Sequence, residues 1–92
     1  MKSKLFNNLP ILYQNKRVLV VDASPDPKFG MDYQLVIWDK YCNFEAGWAN
    51  QLADGSYKGF CIYGPHSLEF DGKDIVELAV NCLALHKWIM SH

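Results

Sequence analysis

Between Asp74 and Met90 the apolar residues recur every three or four positions, with Ile75, Leu78, Ala79, Cys82, Leu85 and Ile89 on one side of a helix. The spacing predicts one long helix over 74–90 with that side buried. Asp74 and Glu77 stand at its start and His86 and Lys87 near its end, which suits the polarity of helix termini. A second apolar row, Val76, Val80, Leu83 and Met90, extended by Ala84 and Trp88, runs beside the first. A helix on a small sheet buries only about a third of its circumference. Either the sheet curls around this helix, or part of the second row meets another molecule.

Upstream the pattern changes to short β-rich runs. Ile11-Leu12-Tyr13 and Arg17-Val18-Leu19-Val20-Val21, with a turn at Asn15, read as a hairpin, and Val18 to Val21 suits a strand covered on both faces. Ser24 to Gly30 holds two prolines and reads as a loop. Tyr33 to Tyr41 carries large apolar groups on both faces, so it is a central strand or presents Trp38 outward. Cys42 to Gly47 reads as a connection. Trp48–Ala53, Asp54-Gly55 and Ser56–Tyr63 then form the strongest local signal, a hairpin with Asp-Gly at its turn that brings Trp48 towards Tyr63 and Leu52 towards Gly59. Gly64-Pro65 breaks the ladder, Ser67–Phe70 forms a short further strand, and Asp71-Gly72-Lys73 turns into the helix.

The expected fold is therefore α+β: an antiparallel sheet of about four strands with one long C-terminal helix packed across one face. Residues 1–92 are expected to form a single domain, with 1–10 as a mobile lead-in. Half the residues are apolar and 14% aromatic, which excludes a disordered chain. Nine basic against ten acidic side chains lowers the case for a phosphate-backbone binder. Three cysteines without Cys-x-x-Cys spacing, no export signal and no run of about 18 apolar residues point to reduced thiols and a cytoplasmic location away from membranes.

Candidate chemistry is sparse. Cys61-x4-His66 and Cys82-x3-His86 offer two Cys/His pairs of the kind that hold zinc, and Cys82 and His86 share a helix face. The bland account is stronger: Cys82 is a small core hydrophobe, His86 serves the helix end, and tight paired spacings are absent. Cys61 with His66 is the one pair that suggests an activated nucleophile, and no recognisable oxyanion loop accompanies it. Asp22, Asp26 and Asp32 surround the proline loop without the regular ligand spacing of a calcium site. No glycine-rich phosphate loop occurs. No catalytic residue and no cofactor are expected.

Aromatic residues remain as the main signal. Trp38, Trp48, Tyr57, Phe60 and Tyr63 fall on expected strands and Trp88 on the helix. Two uses compete: with Lys40 and Lys58, a sheet face that stacks single-stranded bases, or the anchors of a protein interface. Near-neutral charge favours the second. The expectation is a small non-enzymatic protein-interaction module, an inhibitor or regulatory subunit contacting a larger protein or complex through Trp38, Lys40, Trp48, Tyr57, Tyr63 and Trp88. Small phage- or plasmid-encoded inhibitors of host defence complexes, including anti-CRISPR proteins, share this general size and make-up, although no motif of such a family aligns. A nucleic-acid-binding module, a small zinc protein on Cys61, His66, Cys82 and His86, and a homodimer through the helix are the alternatives.

Overall fold

A computed structural model of the chain describes residues 2–3, 9–24, 33–41, 44–63 and 66–90. Its strands are β1 (Lys2–Ser3), β2 (Leu9–Gln14), β3 (Val18–Asp22), β4 (Leu35–Asp39), β5 (Phe44–Gln51), β6 (Tyr57–Tyr63) and β7 (His66–Gly72), followed by α1 (Ile75–Met90). The strands pair in chain order, each antiparallel to the next. The α+β class and the single C-terminal helix are as expected, but six substantial strands replace about four. All six β-rich runs upstream of the helix find a place in the sheet, and two of them are longer than expected. The expected connection before Trp48 already pairs as strand from Phe44, opposite Asp39, and β7 runs on through Asp71 and Gly72 instead of stopping at Phe70. In the expected lead-in, Lys2–Ser3 and Leu9–Pro10 pair with one another, while the proline loop beyond Ser24 lies outside the described residues.

Local chemistry accounts for the turns. Asn15 closes the β2–β3 hairpin with its side chain, its Oδ1 accepting from the Arg17 and Val18 amides at 2.8 and 2.9 Å. The β5–β6 hairpin is closed by the Leu52 amide donating to the Ser56 carbonyl at 2.7 Å, with Gly55 at φ 91°. Asp54 Oδ1 accepts from the Ser56 amide and hydroxyl, which holds its carboxyl below the usual range. With Ala53, Asp54 and Gly55 as the loop, the register places Trp48 opposite Phe60, not near Tyr63, and the expected pairing is displaced. Asp74 caps α1, its Oδ1 accepting from the Glu77 amide at 2.8 Å.

The two sheet faces carry separate clusters. On one, Val18, Val20, Leu35, Ile37, Ala46, Ala49 and Phe70 pack with Leu78, Ala79 and Cys82 of α1. On the other, Leu19, Val21 and Val36 pack with Leu9, Ala23 and the half-buried Ile11, Trp38 and Trp48. Val18 to Val21 are all buried, so β3 is covered on both faces as its unbroken run requires.

The helix reaches the sheet across a floor of small residues. A Cβ on Gly47 would lie 2.9 Å from Cys82 Sγ, and one on Gly59 would collide with the Trp48 carbonyl and approach Ala49 and Phe70 at 2.9 Å. Gly72 admits the Leu78 backbone at the first helical turn in the same way. Gly59→Ala is therefore expected to lower the unfolding free energy by about 1–3 kcal/mol, read from urea denaturation. A neutral substitution would mean that β5 and the Phe70 ring can give way beside Gly59 at no cost.

Candidate functional site

Only two charged or polar residues are buried among the described ones, and they meet. Asp39 ends β4 with no exposed surface, and His86 of α1 is 3% exposed. His86 Nε2 lies 3.4 Å from Asp39 Oδ2, and Arg17 Nη2 reaches the same oxygen at 3.4 Å. Asp39 Oδ1 accepts from the Tyr41 amide at 2.9 Å, and the Arg17 guanidinium lies over the exposed Tyr41 ring, 5.2 Å from its centre. One carboxylate thus joins the start of β3, the end of β4 and the C-terminal half of α1. A buried carboxylate stripped of its partners is strongly destabilising.

Cys82 lies one turn before His86, fully buried against Gly47 and Phe70. Burial raises its thiol pKa, and the nearby Cys61 and Asp39 push it further the same way. Cys61 is buried too, raised by desolvation, with its Sγ 3.8 Å from the Leu68 carbonyl. Burial thus favours the neutral thiol at both positions, the wrong state for a nucleophile. Of the four candidate zinc residues, Cys61, Cys82 and His86 are buried, and the His66 side chain lies outside the described residues. No group of three metal-ligating side chains gathers among the described residues. Asp22 acts as a turn former, accepting from the Ser24 amide and hydroxyl at 3.0 and 2.6 Å.

The aromatic residues do not converge on one patch. Trp48, Phe60 and Tyr33 stack together on the face away from the helix, with Tyr33 and Phe60 edge to face at 4.8 Å. Trp38 is half-buried in the same cluster. Tyr57 packs instead against the core beneath the helix, its hydroxyl 3.3 Å from Gln51 Nε2. Lys40 is exposed and donates to the Asn15 carbonyl at 2.6 Å. Trp88 projects from α1 with 53% of its surface exposed, and the Tyr63 side chain lies outside the described residues. Beside Tyr33 and Phe60 lies an open groove of about 260 Å³, rimmed by Asn50, Lys58, Ser67 and Glu69. It is smaller than the clefts of about 300–1,000 Å³ that hold drug-sized ligands.

Sequence reasoning missed Asp39 altogether and placed His86 at a solvated helix end. The signal for His86 was present: it is four residues after Cys82 and seven after Ala79, so it shares their buried side. Nothing local marks Asp39, because its partners come from β3 and α1.

No family model, no curated protein and no solved structure matches this chain. No helix among the described residues is long and apolar enough to cross a membrane.

Two outcomes are expected from the site. Asp39→Ala should cost about 2–4 kcal/mol of stability, more than His86→Leu, which keeps the volume and leaves Asp39 its Arg17 and Tyr41 contacts; equal midpoints in urea would contradict the clasp. Iodoacetamide near pH 8, about the pKa of a free thiol, should leave Cys61 and Cys82 unmodified in the folded protein and label both in urea, as read by peptide mass spectrometry.

Proposed function

We propose that this protein is a non-enzymatic protein-interaction module that works by occupying a surface on a larger protein or complex, as an inhibitor or regulatory subunit does. The observation that carries the reading is the outer side of α1. Val76, Val80 and Trp88 are 49%, 58% and 53% exposed, and with the exposed Ala84 they stand four residues apart along the helix. They make one apolar ridge about 18 Å long. Glu77 and Lys87 flank it at opposite ends. An apolar helix ridge ending in tryptophan is the kind of surface that seats in a partner's groove.

Enzymatic readings are weakened by the burial of Cys61, Cys82 and His86. The base-stacking alternative is weakened by geometry: Trp48, Phe60 and Tyr33 stack on each other, while Lys40 is bound to Asn15 and Lys58 lies 3.5 Å from Glu69. Trp38 and Trp48 stay candidate contacts at the rim of their cluster, although removing either also removes packing.

Affinity capture from the native host tests the reading. Wild-type protein should recover one stoichiometric partner; Val80→Lys should lose it with little change in melting temperature, since Val80 faces solvent, and Trp88→Ala should lose it too. Recovery unaffected by both substitutions would remove the ridge as the contact.

A further inference from the structure

Among the described residues the sheet ends at β7, and no strand pairs with its outer edge. The hydrogen bond from the Leu52 amide to the Ser56 carbonyl sets the alternation of the ladder. It directs the backbone groups of Ser56, Lys58 and Phe60 towards β5, and those of Tyr57, Gly59 and Cys61 towards β7. Gly72, Phe70 and Leu68, opposite these last three, therefore face β6. Ser67, Glu69 and Asp71 turn their amides and carbonyls outward. One of these groups is already taken, the Asp71 carbonyl, which accepts from Asn81 Nδ2 of α1 at 2.6 Å. Ser67 and Glu69 are both exposed, and no neighbouring strand follows β7 in the sheet. Residues that commonly guard an edge, proline or lysine, do not occur between His66 and Gly72.

The geometry points to strand addition at β7 by an extended segment of a partner that carries basic residues at alternate positions. This rests on the protein-interaction reading and names how, and by what chemistry, the partner is held. The side chains of Ser67, Glu69 and Asp71 lie on the face away from the helix, because Phe70 packs against α1. An added strand sets its own alternate side chains beside Glu69 and Asp71 on that face, where opposite charges at cross-strand positions attract. The sole lysine there, Lys58, pairs with Glu69 at 3.5 Å in an exposed contact, which solvent makes weak and exchangeable. The groove by Phe60 opens along the same residues, Ser67 and Glu69, and receives the end of such a side chain. On the helix side the intervening residues meet Leu68 and the flank of α1 that carries Asn81 and, two turns on, Trp88. A second copy of this chain fits poorly, since two β7 edges would bring Glu69 and Asp71 of each against the other.

The probe is a short capped peptide of alternating lysine and valine, followed by amide hydrogen exchange and chemical shifts on the full chain. The Ser67 and Glu69 amides should exchange freely in the protein alone and become protected with millimolar peptide. Glu69→Pro removes one outward donor without touching the ladder to β6, and should weaken binding roughly tenfold. Glu69→Lys should weaken it too and let an alternating glutamate–valine peptide bind instead. A peptide N-methylated at the pairing positions should not bind. Absence of protection at Ser67 and Glu69, or equal binding by Glu69→Lys and by the N-methylated peptide, overturns the proposal even if Glu69→Pro fails to fold. A host partner lost by Val80→Lys yet held equally by Glu69→Pro and Glu69→Lys overturns the edge and leaves the interaction reading standing. Protection by the peptide with no host partner recoverable does the reverse.

Discussion

The close seating of α1 on a floor of glycine and alanine is the constraint from which the other features of this fold follow. Ala46, Gly47 and Ala49 on β5 and Gly72 at the end of β7 occupy positions where ordinary strand residues would hold the helix away. Their smallness lets Cys82 and Leu78 sink to complete burial, with Phe70 closing one side and Val18, Val20, Leu35 and Ile37 the other. Glycine inside a strand costs conformational entropy. Here that cost is offset by the helix contact, since small residues permit the close packing on which interior stability depends.

Once α1 is seated, its polar residues must be satisfied where they fall. His86 is carried inward by its spacing from Cys82 and meets Asp39 at the end of β4. Asp39 in turn draws Arg17 across from β3, and the Arg17 carbonyl receives the Lys40 amide at 2.7 Å. The same seating delivers Asn81 to the carbonyl of Asp71 on the outermost strand. Both contacts tie the helix to the sheet, and the His86–Asp39 pair does so with groups that would be costly to bury alone.

A helix resting on one face of a meander also leaves two things over. Its outer side keeps the Val76, Val80, Ala84 and Trp88 ridge in solvent, because this sheet lies beneath α1 and does not wrap it. Among the described residues the last strand keeps an unpaired edge, because a meander, unlike a closed barrel, has ends. A buried acidic clasp and neutral, sealed thiols hold the structure; the ridge and the edge face outward. The proposed interaction reading rests on these outward features.

The sequence by itself determined the helix, its buried side, the charge at its two ends and the turn at Asn15, since each follows from residues a few positions apart whose geometry is local. It also determined that the apolar surface exceeds what one helix face can bury, which the exposed ridge bears out. The strand count, the Trp48–Phe60 register and the early start of β5 were decided by tertiary structure, because a short alternating run is equally consistent with several pairings until neighbouring strands select one. Asp39 was invisible for the same reason. A single aspartate between tryptophan and lysine carries no pattern, and its environment is made by Arg17, 22 positions before it in the chain, and by a helix that arrives only when the last strand is in place.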